Sequence, residues 1–220
     1  MKKTFTLLTL FTAICFSLIA QIKKGSTLYG IDLAFSGSTV KQESPGFEVK
    51  NTTTGFSSSV LFGKAVKENL FAGAGISYST SKFKQGATDL EQTTNGFGGS
   101  VWGRKYFPVI RSFYAFVNGS VYVNTSSNKA NNTTSAKTNT LGVGISIYPG
   151  VSLQLKKCFY LDASLNNIAN MYYTHTKIKQ PDGSGGVSTQ TGNNYGLSTS
   201  LGNTVNPLQL GIRWIIPAKG

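Results

Sequence analysis

The sequence predicts an all-β fold, a transmembrane antiparallel up-and-down β-barrel of eight strands, with ten as the alternative count. Three observations carry this prediction. Apolar residues alternate with small or polar ones at period two, in runs of about nine to fourteen residues, and helical periodicity is missing after residue 20. The second face of these runs holds Gly, Ser, Asn and Tyr with isolated charges, which suits the crowded interior of a narrow barrel better than a water-facing surface. The connections alternate between short and long, the mark of a chain whose turns lie on one side of a membrane and whose loops lie on the other. A soluble sandwich also alternates, but its strands run to about five or six residues. A tilted strand needs roughly ten to cross a bilayer.

Composition narrows the field further. Charged residues make up only 13% of the 220, hydrophobic ones 40%, and 21 basic residues face 8 acidic ones. The low charge and the aromatic content argue against disorder. One His and scarce carboxylates disfavour hydrolytic triads and protein-built metal sites. Residues 1–20 have the form of a signal peptide. Met1-Lys2-Lys3 is a positive start, Leu7 to Ile19 is mostly apolar, and Leu18-Ile19-Ala20 before Gln21 fits a cleavage site. The apolar stretch is short for a membrane helix. The barrel domain is then residues 21–220. Cleavage removes Cys15 and leaves Cys158 alone, so no intramolecular disulfide is expected.

Taken in order, the first strand is 27–36. Tyr29, Ile31, Leu33 and Phe35 share one face, and Gly30, Asp32, Ala34 and Ser36 the other. The polar stretch Gly37 to Thr53 separates it from 54–63, and the short turn Lys64 to Asn69 leads to 70–80. There Leu70, Ala72, Ala74, Ile76 and Tyr78 oppose Phe71, Gly73, Gly75, Ser77 and Ser79. Ser81 to Asn95 is a second long connection, before 96–106, and Phe107 to Ser112 a second short one, before 113–124. Thr125 to Thr138 leads to 139–153, where Leu141, Val143, Ile145 and Ile147 oppose Gly142, Gly144, Ser146 and Tyr148. Leu155 to Cys158 turns into 159–174, with Phe159, Leu161, Ala163 and Leu165 opposing Tyr160, Asp162, Ser164 and Asn166. His175 to Gly192 leads to the last strand, 194–216, with Leu208, Leu210, Ile212, Trp214 and Ile216 on one face. Asn203 to Pro207 is either a bulge or a turn, which is what leaves ten strands open. Tyr29, Phe35, Tyr78 and Trp214 are candidates for interfacial aromatic girdles.

Three stretches, Arg104-Lys105-Tyr106-Phe107-Pro108, Tyr148-Pro149-Gly150-Val151 and Asn206-Pro207-Leu208-Gln209-Leu210-Gly211-Ile212-Arg213-Trp214, resemble the outer membrane protein beta-barrel domain family of Gram-negative bacteria, in the style of OmpA/OmpX-type barrels. The resemblance implies the fold, the cell outer membrane as location, and the barrel-assembly machinery as a partner. Such families usually end on an aromatic residue, whereas here Trp214 is followed by Ile215-Ile216 and the tail Pro217 to Gly220.

Asp32 and Asp162 are the acids that fall within strands, and Arg213 shares their inward parity. Arg104 joins them if no bulge intervenes, and inward Arg104 also turns Trp102 inward. These four charges read better as an ion-pair cluster that neutralises the lumen than as a gate, with Asp32 nearest Arg213 at barrel closure. His175 with Ser184 and Ser188 could serve a lipid-modifying enzyme, but no acid adjoins it, and a solvated loop His is the better reading. Gly73-Ala74-Gly75 and Gly142-Val143-Gly144 are inward glycines that make room for facing side chains. The Asn-x-Thr/Ser triplets at Asn51, Asn124 and Asn131 are loop chemistry. Lys23, Lys24, Lys64, Lys67, Lys105, Arg111, Lys156, Lys157 and Lys219 gather at the turn side. Anionic lipid or plain snorkelling accounts for them, and nucleic acid is a poor partner for an exported barrel.

The expected function is therefore an integral outer-membrane barrel with a filled lumen, a structural or interaction protein that presents surface loops. A small-solute channel, a component of an envelope secretion or assembly complex, and a lipid-modifying enzyme are the alternatives. No enzyme activity and no cofactor are expected. The partners are outer-membrane lipids, the assembly machinery and an extracellular or envelope protein.

Overall fold

The computed structural model describes residues 21–219 apart from 45–46, 87–89, 131–135, 166–167, 182–185 and 200–207. The signal segment, Asn131-Asn132-Thr133, Asp182, Ser184 and the stretch Asn203 to Pro207 lie outside the described residues. Ten strands follow one another: β1 (Thr27–Ser44), β2 (Phe47–Lys67), β3 (Leu70–Gln85), β4 (Leu90–Ile110), β5 (Phe113–Ala130), β6 (Lys137–Lys156), β7 (Phe159–Leu165), β8 (Ala169–Pro181), β9 (Val187–Thr199) and β10 (Leu208–Ile216).

Every pairing is antiparallel. β1 to β6 pair in chain order, β6 continues to β7, β7 to β10, and β10 returns to β1, so the sheet closes on itself. Along β6, Gly150 faces Ser164 while Ile147 faces Ala169, which makes β7 and β8 the lower and upper parts of one barrel position. β10 pairs with β7 and β1 and fills the lower part of the next position, while β9 pairs with β8 and forms the sheet edge above it, without a β1 pairing among the described residues. The barrel thus has eight positions around its wall, filled by ten strands. Eight and ten are both right, each for its own count.

The turns at Glu68-Asn69, Arg111-Ser112 and Lys157-Cys158 lie where the sequence places them. Asn69 adopts a left-handed backbone with φ 57°. This turn also anchors the start of the described chain. The Ile22 backbone N–H donates to Asn69 Oδ1 at 2.9 Å, and the Asn69 N–H donates back to the Ile22 carbonyl at 3.0 Å. The apolar side chain of Ile22 is thereby tucked into the barrel end, where it is buried.

The long connections depart from the sequence reading. Most of Gly37 to Thr53, Ser81 to Asn95, Thr125 to Thr138 and His175 to Gly192 is strand, not loop. β1 and β2 stay in register from Thr27–Lys64 to Ser44–Phe47, and β3 and β4 from Leu70–Lys105 to Gln85–Leu90. These segments are polar on both faces and so lack the alternation that marks a strand. Each added pair nevertheless satisfies backbone donors and acceptors, and their many Thr residues favour extended backbone.

The outer wall is apolar at mid-height. Tyr29, Ile31, Leu33 and Phe35 all point outward and are exposed. Toward the turn end the Tyr29–Phe62 rings lie 5.4 Å apart and the Phe159–Trp214 rings 6.3 Å. Toward the other end the Phe35–Phe56 and Tyr78–Phe97 pairs lie at 5.1 and 4.9 Å. Tyr29 and Phe35 are six residues apart, about 20 Å along a strand. The wall between them is mostly Ile, Leu, Val, Ala and Gly, close to the ~25 Å apolar band of membrane barrels. An apolar surface this large is far beyond what a water-facing monomer exposes.

Candidate functional site in the barrel interior

The inward parity of β1, β4, β7 and β10 brings four charges together in the turn-side half of the lumen. Asp32, Arg104, Asp162 and Arg213 are each at most 3% exposed. Arg104 donates to Asp162 Oδ2 at 2.6 Å, and Arg213 Nε lies 3.1 Å from the same oxygen. Arg213 also pairs with Asp32 through its terminal nitrogen. Asp162 therefore joins two guanidinium groups, and the four charges balance. Polar neighbours complete the shell. Ser152 donates to Asp162 Oδ1 at 2.6 Å, Ser59 to Asp32 Oδ2 at 3.2 Å, and Arg104 Nε to Asn118 Oδ1 at 3.1 Å. The guanidinium carbon of Arg104 also stands 4.2 Å from the centre of the Phe116 ring.

Closely approaching glycines make this packing fit. A Cβ on Gly30 would stand 2.8 Å from Arg213 Cδ, and one on Gly211 would collide with the Asp32 carboxylate. Trp102 is inward along with Arg104, and β4 has no register shift between them; its one irregularity is at Pro108–Ile110. The indole fits because Gly63 and Gly73 face it, and a Cβ at either would lie within 2.6 Å of its ring.

Beneath the charges an aromatic layer closes the lumen. Tyr106 lies 5.9 Å from Phe71, 6.0 Å from Tyr114 and 5.8 Å from Phe116, and Tyr114 lies 5.9 Å from Tyr160. Leu28, Ile215 and Ile22 fill the remaining space. Tyr106 and Phe71 had no marked role in the sequence reading. Their signal was inward parity beside Arg104 and Gly73.

Above the charges the lumen widens into a cavity of about 230 Å³, lined by Ser59, Ser77, Ser120, Tyr122, Asn124 and Ser146 among others. Ser120 and Ser146 hydroxyls share a hydrogen bond of 2.8 Å, and Tyr122 donates to Asn170 Oδ1 at 3.0 Å.

The arrangement pairs the four charges with one another and fills the turn-side half of the lumen. Both carboxylates already accept from an arginine and a serine. Among the described residues no group of three His, Cys, Asp or Glu side chains could hold a metal. His175 does not lie in a loop. It stands on the outer face of β8, exposed, with Nδ1 2.8 Å from Asn193 Oδ1. It is away from the lumen, because it shares the exposed parity of Met171 and Tyr173, and the β8–β9 ladder continues past it to Pro181–Val187.

No family model matches the chain, the beta-barrel domain family of its three motifs included, and no curated protein matches it by sequence. Among solved structures the chain is similar to Neisserial surface protein A, with 16% identity over 89% of this chain and 98% of that one, at a TM-score of 0.41. It is similar to a major outer membrane protein from Thermus thermophilus, with 12% identity over 86% and 99%, at 0.46. It is also similar to the translocator domain of the autotransporter NalP from Neisseria meningitidis, with 11% identity over 100% and 98%, at 0.39. The barrel assignment itself stands on the strand pairing.

Proposed function

We propose that this chain is a non-enzymatic, integral outer-membrane barrel of the small OmpA/OmpX-like kind, whose work is done by its projecting strands and not by its lumen. The observation that supports this most is the filled turn-side half of the lumen, with four balanced charges above an aromatic layer and Ile22 below. An eight-position barrel has room for side chains but not for an aqueous path beside them. The second support is the strands' own length. β2 and β4 each run 21 residues, about twice what a bilayer crossing needs. The upper halves form polar, hydrogen-bonded hairpins that hold a binding surface clear of the membrane. The apolar wall and its two aromatic girdles are the grounds for membrane insertion. The termini and short turns then face the periplasm.

Conductance in planar bilayers is the direct test. The refolded mature chain is expected to show heat-modifiable gel mobility and no stable channels. Stable unitary conductance would replace this reading with the solute channel. Recovery from cells as a soluble periplasmic protein would end the membrane reading altogether.

A further inference from the structure

From the outer wall of β6, β8 and β9 we infer a binding site for an acylated amphiphile whose head carries more than one phosphate. The inference rests on the membrane reading above. It starts from successive cross-strand rows that change character with height. The lowest row is Ile145–Met171–Leu197 and the next Val143–Tyr173–Tyr195. Between them these residues line an apolar groove of about 720 Å³. The row above is Leu141–His175–Asn193, in which Asn193 Oδ1 accepts from Tyr173 at 2.9 Å and lies 2.8 Å from His175 Nδ1. Above that come Asn139–Lys177–Thr191 and Lys137–Lys179–Thr189. The wall thus passes from acyl-compatible surface, through an aromatic and hydrogen-bonding rim, to cations. An amphiphile with an anionic head has the same order.

The lysines point independently to an anion. Lys137 sits directly opposite Lys179, a like-charge pair that costs stability when nothing lies between. Lys129 follows Asn128, the residue opposite Thr138, and so adjoins Lys137 across the β5–β6 ladder. All four lysines are exposed, and no ion pair joins them to a carboxylate among the described residues. The β3–β4 wall is different: there Lys82 and Lys84 share the Glu91 carboxylate, at 2.5 Å and 3.2 Å. Four cations on three strands exceed what one phosphodiester balances, which selects a multiply phosphorylated head. Their height beyond the upper girdle places that head in the leaflet away from the chain termini.

The test uses the full mature chain in phosphatidylcholine bilayers doped with bisphosphorylated lipid A, monophosphorylated lipid A or phosphatidylglycerol. Lipid retained after mild-detergent extraction is read by mass. Heat-modifiable mobility, scored separately, reports insertion, so loss of the membrane reading cannot pass for loss of the site. Retention is expected to follow phosphate number, with bisphosphorylated lipid A highest. Replacing Lys137, Lys177 and Lys179 by Gln should lower it at least about tenfold, while Lys64→Gln with Lys157→Gln at the other end should leave it unchanged. Val143→Trp, which fills the groove, should lower it with the lysines intact. Equal retention of phosphatidylglycerol and bisphosphorylated lipid A would overturn the proposal. So would retention indifferent to the three lysines. The comparison between lipids needs no variant and decides the question even if the triple substitution prevents folding.

Discussion

Asp162 faces two guanidinium groups and Asp32 faces one, so the two acids are not equivalent. Removing one member of a buried pair typically costs about 3–5 kcal/mol, because the partner is left charged and dry. Asp162→Ala should therefore lower the urea midpoint in detergent micelles more than Asp32→Ala does. Asp32→Ala combined with Arg213→Ala should recover part of the single loss, and additive losses would show that the two side chains act separately. Trp102 supplies a second contrast. At Gly63 a Cβ meets the indole first, at 2.5 Å, whereas at Gly73 it would also strike the Phe62 backbone carbonyl. Trp102→Leu should thus rescue much of the stability lost in Gly63→Ala but little of that lost in Gly73→Ala, as read by thermal unfolding. Equal rescue would mean that the indole is the sole obstacle. The inward parity of Asp32, Arg104, Asp162 and Arg213 is legible from alternation alone. Which of them touch is not, because contacts across a lumen depend on how far the ladder climbs in one circuit of the wall.

At the scale of the element, the upper hairpins are what the sequence concealed. Period-two contrast exists only where one face meets lipid and the other the lumen. Above the girdles both faces meet water, so strand segments such as Ser81–Gln85 and Leu90–Asn95 read as loops. They are held by backbone pairing and by surface charge. The Lys82 ammonium, hydrogen-bonded to Glu91 with Lys84 beside it, holds the Glu91 carboxyl below the usual carboxylate range. A lowered folded pKa contributes order above the unfolded value and loses it as pH falls through the folded one. Amide protection factors at the top of β3–β4, corrected for the intrinsic pH dependence of exchange, should therefore fall as pH drops below the ordinary carboxylate range. Glu91→Gln should remove that dependence while leaving the membrane-level amides protected. The effect is small, since solvent and salt screen the group.

At the scale of the whole molecule, the fold is decided at one junction. β1 and β10 meet along eight residue pairs, from Thr27–Ile216 to Ala34–Gln209. Asp32 and Arg213, 181 residues apart in the chain, clasp across that junction. β10, made long after β1, is thus the strand without which the second edge of β1, the one not paired to β2, stays open. Contacts of such sequence separation form late and slowly, and Asp32 stays without its arginine until they do. Assembly is then close to all-or-none: a nascent barrel cannot be trusted to the bilayer stave by stave, and it must be held, edges guarded, until its two ends find each other. A chain ending at residue 207 should accordingly show no heat-modifiable form. Adding the missing nine-residue strand as a separate peptide should restore one only when Arg213 is present in it, and restoration by an Arg213→Ala peptide would show that backbone pairing alone shuts the ring.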